Sequence, residues 1–358
     1  MRLELQVWDA ADPHDRKAWI DSWAQWPGRE IFGHPDHVRL NAGPHVQALC
    51  AAASAGGSYV LYPFLLRALG DEPYCDVSLR DCTDIATAYG YGGPFRWGAA
   101  WDPEAVRVFW LEFNAWAAKS RVVSEVVRLS LFPEILVEYP GDRRVLLDNV
   151  VRVLKSEDNL WRDFEYKVRK NVNRARTSGV TVRIDEKGAR LDDFLVIYTG
   201  TMNRRNAGET YYFPREYFER IHAELKGQFA YFHAFVGGVV VSTELVLVSA
   251  DRIYSFLGGT DAAWFHVRPN DLLKVEIMNW ARSAGKTEFV LGGGYGRGDG
   301  IYRYKLSFAP NGSVPFSIGS RVLNVNAYEQ MIHARRMFAA MQGEQWQPNP
   351  EYFPAYRG

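Results

Sequence analysis

FAYFHAFVGGVVVSTELVLVSADRIYSFLG, residues 229–258, is the stretch on which the fold of this chain turns. Three runs rich in Val, Phe, Tyr and Leu are parted by two short turns, Gly237-Gly238 and Ala250-Asp251. Such runs joined by two-residue turns predict consecutive antiparallel strands over Phe229–Val236, Val239–Val248 and Ile253–Gly258. Downstream, residues 269–284 carry apolar side chains at helical spacing, with Pro269 in the first turn and Gly285 as the stop, so an amphipathic helix is expected there. A strand at Glu288–Leu291, a glycine-rich turn through Gly300, a short helix at Tyr302–Phe308 and two strands complete the pattern. Upstream, Leu191–Arg205 and Pro214–Leu225 read as helices.

Working outward, the first half repeats this order with weaker signals. Arg16–Trp26 is a helix stopped by Pro27-Gly28, and His45–Ala52 and Ser58–Leu69 are paired strands. Asp102-Pro103 opens a helix to about Lys119, Val122–Leu131 is a buried strand, and Asn326–Met341 is a last helix. Residues 147–178 form the most polar long segment, expected to be helical from Asn159 until Gly179 stops it. With 358 residues the chain exceeds one ordinary core. No linker rich in Ser, Pro or charge divides it, so two packed lobes are expected.

Composition narrows the function. Hydrophobic residues are 47% and charged residues 23% of the chain, and the formal net charge is zero. That balance is globular and argues against a globally basic DNA binder, while leaving room for a local basic patch. The N-terminal residues lack an apolar signal core, and no stretch reads as a membrane span. Cys50, Cys75 and Cys82 have no zinc-ligand spacing and cannot all pair, which suits a reducing compartment. A cytoplasmic protein is expected. His34 and His37 lack a third ligand, so no metal site is expected.

Several further motifs occur in order: Gly90-Tyr-Gly-Gly-Pro94, Tyr166-Lys-Val-Arg-Lys-Asn-Val-Asn-Arg-Ala-Arg176 before Gly179, Arg268-Pro-Asn-Asp-Leu-Leu273, and Leu291-Gly-Gly-Gly294 followed by Tyr302-Arg-Tyr-Lys-Leu-Ser-Phe308. With the element order, this set resembles the GNAT acetyltransferase superfamily. Two such lobes in one chain resemble the FemABX aminoacyltransferases, which extend peptidoglycan cross-bridges using aminoacyl-tRNA. The resemblance implies an α/β fold with mixed sheets in two GNAT-like lobes. Residues 1–146 would make the first, completed by 320–358, and residues 147–319 the second, which carries the active site.

In that family the lysine of the aromatic-Lys-x-x-Phe motif, here Lys305, lies where the acyl carbonyl is attacked. Its ammonium would stabilise the tetrahedral oxyanion, with Tyr304 shaping the cleft. No base stands out among Glu244, His233 and Asp299. The segment from Lys167 to Arg176 holds five cations and no acid, and Lys167, Lys170 and Arg174 fall on one helix face. Such a stripe suits a tRNA backbone or a nucleotide diphosphate. Tyr89 and Tyr91, flanking Gly90, are expected to line the cleft between lobes. The family's acceptor contacts imply Arg204, Tyr211 and Tyr254 as candidates, with Arg205 and Tyr212 beside them.

Two departures matter. GNAT enzymes grip coenzyme A at a glycine-containing loop opening a helix, whereas residues 261–270 here contain no glycine and hold Trp264 and Phe265. The family's lysine for acceptor phosphates is replaced by Asn41, with Arg39 two residues earlier. The leading expectation is therefore an aminoacyltransferase joining an aminoacyl group, from aminoacyl-tRNA, to a small-molecule or peptide amine such as a peptidoglycan precursor or a peptide natural-product intermediate. No tightly bound cofactor is expected. An acyl-CoA-dependent N-acyltransferase is the first alternative, and a non-catalytic peptide- or RNA-binding lobe pair the second.

Overall fold

A computed structural model of the chain describes residues 3–358, and these divide into two compact units. The first comprises residues 3–27, 32–146 and 316–358, and the second 28–31 and 147–315.

The first unit starts with β1 (Glu4–Asp9) and α1 (Pro13–Gln25), whose N-terminus is capped by Asp12 through the His14 and Asp15 amides. Then come α2 (Pro35–Leu40), β2 (Val46–Ala55), β3 (Ser58–Ala68), β4 (Thr83–Ala86), β5 (Phe95–Gly98), α3 (Pro103–Lys119) and β6 (Val122–Arg128). Asp102 caps α3 by accepting from the Ala105 amide at 2.7 Å. The chain leaves this unit within β7 (Asp142–Val153) and returns within β13 (Ser313–Val322) before α10 (Val325–Met341). Its strands run β1-β2-β3-β4-β6-β13, with β5 paired to β3. Tyr62, Phe64, Phe109, Trp110 and Phe113 form the core. The last residues join a second cluster, with Leu69, Tyr74 and Met331. Tyr356 is fully buried beneath α10, and Asp84 accepts from Arg67, Tyr356 and Arg357 at 2.7, 3.0 and 2.6 Å.

In the second unit, β7 is followed by α4 (Glu157–Asp163), α5 (Tyr166–Thr177), β8 (Thr181–Asp185), α6 (Leu191–Arg205), α7 (Arg215–Glu224), β9 (Phe229–Val236), β10 (Val239–Val248), β11 (Arg252–Thr260), α8 (Pro269–Ser283), β12 (Glu288–Gly292) and α9 (Gly300–Leu306). The strand order is β7-β12-β11-β10-β9-β8. Gly237 and Gly238 both take positive φ, 56° and 85°, which only a β9–β10 turn free of Cβ atoms adopts readily. Alternation along β9 sends Tyr231 toward Phe194 of α6 and Phe232 toward Trp280 of α8, so the two helices cover opposite faces.

Three expectations are corrected. The single helix expected from Asn159 to Ser178 is two, because Phe164 and Glu165 are extended: Phe164 is buried against Phe308, and the Glu165 amide donates to Ser307. The polar segment after Leu147 begins as the end of β7. The two strands expected after Phe308 are one, β13. Among the described residues no helix is long and apolar enough to cross a membrane, and the three cysteines are free thiols.

Candidate active site

In the second unit β11 and β12 run parallel, but their register covers only Arg252–Tyr254 against Glu288–Val290. Beyond that point β11 continues to Thr260 without β12 beside it in the ladder. The corresponding parallel pair of the first unit, β4 and β6, stays closed. There the Thr87 amide donates to Val126 at 3.2 Å, Gly92 to Arg128 at 2.6 Å, and Ser130 to Gly92 at 2.8 Å. The early end of the parallel ladder thus belongs to the second unit alone, among the described residues.

Where β12 ends, Gly292 turns with φ 79° into the loop to Asp299. The Asp299 carboxylate organises this loop. It accepts from the amides of Tyr295 at 2.7 Å, Gly296 at 3.2 Å and Tyr302 at 2.8 Å, thereby also capping α9. These bonds, that from Tyr302 foremost, hold its pKa below the usual carboxylate range. A Cβ on Gly294 would lie 2.1 Å from Asp299 Oδ1, so any side chain there would push the carboxylate off these amides.

Lys305 stands on the last turn of α9, partly buried, with Nζ donating to the Gly293 carbonyl at 2.7 Å. An ammonium has three donors, and the other two have no partner among the described residues. Burial foremost, then the positive charge of Lys274, lowers its pKa to about 8, against the opposing pull of Glu244 and Asp299. Next to it, the Tyr304 hydroxyl accepts from Asn270 Nδ2 at 2.8 Å, and its ring packs edge-on against Phe308. Burial, with the charges of Asp271 and Glu244, raises the Tyr304 phenol well above its ordinary range. Tyr304 is therefore a neutral wall of the site.

Behind Lys305 lies a buried ion pair. Lys274 of α8 donates to Glu244 Oε1 of β10 at 2.5 Å and to Ser255 Oγ of β11 at 3.0 Å. Sequence reasoning missed Lys274 and Ser255. A signal existed for the first: Lys274 interrupts the apolar stripe of α8 that continues through Ile277, Met278 and Ala281. Two of the three groups considered as bases are committed, while His233 faces Asp185 of β8 at 3.9 Å with its Nε2 making no hydrogen bond among the described residues. Glu244 holds Lys274, His233 Nδ1 shares a hydrogen bond with Thr243 at 2.9 Å, and Asp299 caps α9.

The N-terminus of α8 is unlike an anion cradle. Arg268 precedes it in the left-handed conformation (φ 59°), Pro269 contributes no N–H, and Asp271 is buried in the first turn, accepting from Asn171 at 3.0 Å. Burial raises the Asp271 pKa. Trp264 packs against the core, while Phe265 is exposed beneath the Arg204 guanidinium, 4.9 Å from its ring centre.

Lys167, Lys170 and Arg174 project from α5 as one exposed stripe, and none makes an ion pair or side-chain hydrogen bond among the described residues. The other two cations are committed: Arg169 donates to the Phe164 carbonyl and Arg176 pairs with Glu276 at 3.4 Å. The proposed acceptor residues scatter. Arg204 donates to the Thr260 carbonyl at 3.2 Å, and Tyr211 meets Tyr295 of the Asp299 loop edge-on at 6.0 Å, so these two border the site's own unit. Tyr254 departs from the expectation. It is buried with its hydroxyl on Glu30 at 2.7 Å, a core role that leaves no surface for a substrate.

In the first unit Arg39 lies 3.8 Å from Asp36, and Tyr91 packs edge-on to Phe32 and Phe316. Tyr89 stacks under Arg128, and its carbonyl accepts from His37. His34 caps α2, so both histidines have structural tasks.

Residues 162–306 match the acetyltransferase (GNAT) domain family. No curated protein sequence matches the chain significantly. Among solved structures, FemX superposes with a TM-score of 0.66 at 13% identity, covering 88% of this chain and 98% of that one. The C-terminal domain of a candidate lysylphosphatidylglycerol synthetase from Agrobacterium fabrum gives 0.54 at 14% identity, with 91% and 96% covered. A conserved protein of unknown function from Bacteroides thetaiotaomicron gives 0.56 at 12%, with 89% and 99% covered. Residues 162–306 are thus similar to an acetyltransferase (GNAT) domain, within a chain whose fold is similar to that of FemX.

Proposed function

We propose that the protein is an aminoacyltransferase that joins an aminoacyl group, delivered as an aminoacyl-tRNA ester, to an amine acceptor. The observation that carries the reading is Lys305. It is a partly buried lysine at the mouth of the parted strands, spending one donor on Gly293 and leaving two for a substrate carbonyl oxygen. As the acceptor nitrogen attacks the ester carbon, negative charge gathers on that oxygen, and a fixed ammonium there stabilises it more than it stabilises the uncharged ester. The rest of the rate comes from holding two substrates in one cleft.

The choice of donor rests on two features. At the start of α8 the proline and the buried Asp271 leave little for a coenzyme pyrophosphate to bind. The bare stripe on α5 suits a polyphosphate backbone. FemX and the lysylphosphatidylglycerol synthetase domain, similar in fold, fit this reading. The second reading, acyl-CoA as donor, is favoured by the acetyltransferase domain match itself.

The deciding experiment offers labelled aminoacyl-tRNA and, separately, labelled acyl-CoA with a panel of amines including a peptidoglycan precursor. Transfer from the tRNA alone is expected. It should vanish in Lys305→Ala while donor affinity stays within about threefold, since the ammonium acts mainly in the transition state. Reversing charge at Lys170 and Arg174 should weaken tRNA binding and flatten its salt dependence by roughly one unit of slope per lost phosphate contact. Transfer from acyl-CoA alone would replace the donor assignment, and undiminished turnover in Lys305→Ala would end the mechanism.

A further inference from the structure

In the first unit, guanidinium groups recur in one setting: stacked on aromatic rings, with their nitrogens turned to an oxygen. Arg321 lies 4.9, 5.9 and 5.5 Å from the ring centres of Trp110, Phe113 and Tyr139, and donates to Glu125 at 2.6 Å and to Asn114 at 3.0 Å. Arg335 lies 5.2 and 4.9 Å from those of Tyr74 and Trp346, and its Nη1 donates to the Tyr356 carbonyl at 2.7 Å. Arg128, the last residue of β6, is stacked in the same way, 5.5 Å from Tyr89 and 5.0 Å from Phe316. Its Nε donates to the Gly90 carbonyl at 3.0 Å, but Nη1 and Nη2 make no hydrogen bond or ion pair among the described residues.

We propose that the fork of Arg128 is a binding site for an oxoanion, a carboxylate or phosphate group whose two oxygens pair with Nη1 and Nη2. The site belongs to the first unit and depends neither on Lys305 nor on the choice of acyl donor.

The guanidinium is set in place before any ligand arrives. The Arg128 amide donates to Thr87 Oγ1 at 2.9 Å, and its carbonyl accepts from the Gly92 amide at 2.6 Å. Gly90, whose carbonyl holds Nε, has φ 117°, and a Cβ there would lie 2.2 Å from Phe32 Cε1, so this backbone packs directly on the ring. With Nε spent and rings beside it, the side chain has little freedom left to lose on binding. A planar fork fixed in this way matches two oxygens of a carboxylate or phosphate, a fit that the point charge of a lysine does not offer.

The other stacked arginines are answered from within the protein, and so are Arg16, Arg67 and Arg357, which hold Asp36 or Asp84. No carboxylate among the described residues pairs with Arg128. Its stack is also the open one: Tyr89 is 37% exposed, whereas Tyr74, Trp110 and Tyr139 are buried. Nη1 and Nη2 are not among the buried polar atoms that lack a partner, so both reach solvent. The neighbouring rings exclude part of the water that would otherwise screen the pair, which strengthens its attraction for an anion.

The test reads Arg128 in the intact protein. Phenylglyoxal caps accessible guanidinium groups, and peptide mass spectrometry follows the modification residue by residue. Millimolar pyrophosphate in one arm and N-acetylalanine in the other, both at low salt, represent the phosphate and carboxylate sources. At least one should slow the modification of Arg128 about fivefold, the protection given by a probe at about four times its Kd, while Arg335 changes by less than about twofold. Protection by pyrophosphate alone assigns a phosphate ligand, and protection by N-acetylalanine alone a carboxylate. Calorimetry with the protecting probe then tests the fork itself, in a Lys170→Glu/Arg174→Glu background that removes the phosphate-attracting stripe of α5. There Arg128→Lys, which keeps the cation, should weaken binding roughly tenfold.

Unchanged modification of Arg128 with both probes, or equal protection of Arg335, overturns the proposal, and neither result requires a variant to fold. An Arg128 that resists phenylglyoxal without any probe overturns it too, because its fork would then be closed. Undiminished affinity in folded Arg128→Lys would remove the bidentate recognition on which it rests. Each of these outcomes leaves the acyl-transfer reading of the second unit untouched.

Discussion

Lys305 makes the second unit less stable than it would be without it, and the cost has a pH signature. Its pKa falls from 10.5 to about 8 on folding, chiefly through burial. The unfolded chain therefore binds more protons than the folded one between those values, and stability rises with pH through that window. At about 1.4 kcal/mol per unit the penalty is about 3 kcal/mol at pH 7. Integrating the linkage relation gives about 1.3 kcal/mol of relief between pH 7 and pH 9, trimmed to about 1 kcal/mol by the partial exposure of the side chain. Lys305→Met removes the titrating group and keeps most of the stem. Urea unfolding of both proteins at pH 7 and pH 9 isolates its share: the stability of wild type minus variant should increase by about 1 kcal/mol at the higher pH. The variant should also be no less stable than wild type at pH 7 despite its lost activity, because the penalty outweighs one hydrogen bond to Gly293. Identical pH dependence in the two proteins would mean that Lys305 titrates as an ordinary surface lysine, and the argument for a desolvated ammonium at this place would go with it.

Two further outcomes follow from local geometry. Gly294→Ala puts a methyl 2.1 Å from the Asp299 oxygen that caps α9, so steady-state kinetics should show at least a roughly tenfold fall in turnover with little change in the unfolding midpoint. In the first unit, Arg357→Ala leaves buried Asp84 with Arg67 and Tyr356 alone, and thermal unfolding should register a loss of about 2–3 kcal/mol with acyl transfer by whichever donor proves active unaffected at lower temperature.

The strand–helix pattern of the second unit was legible because its signals are local. Two glycines supplied the β9–β10 turn, and Pro269 and Gly285 bracketed α8 almost to the residue. Lys305 was legible only through its motif. Nothing in spacing tells a lysine on a seven-residue helix that Gly293 will accept from it. The rest depended on partners distant in sequence. The break at Phe164 has no glycine or proline to announce it and is caused by Phe308 and Ser307. Tyr254 looked available for a substrate until Glu30, more than two hundred residues earlier, was found against its hydroxyl. Glu244 and Lys274 are each unremarkable in sequence and become a buried couple only when α8 lies across β10.

The two units also differ in how they use their buried acids. In the first, the buried acid Glu125 of β6 is saturated: Arg321 donates to it at 2.6 Å, Tyr62 donates to its other oxygen, and Trp110 and Phe113 close over the guanidinium. All the charge of that pair is used internally, and the β4–β6 ladder is sealed by backbone hydrogen bonds. The second unit keeps an equally buried acid, Glu244, but has two lysines for it. One neutralises Glu244, and the other is left with unspent donors where the strands part. A surplus cation in a half-dry crevice is costly to fold and of no structural use, which is the physical reason to look for chemistry there and not in its neighbour.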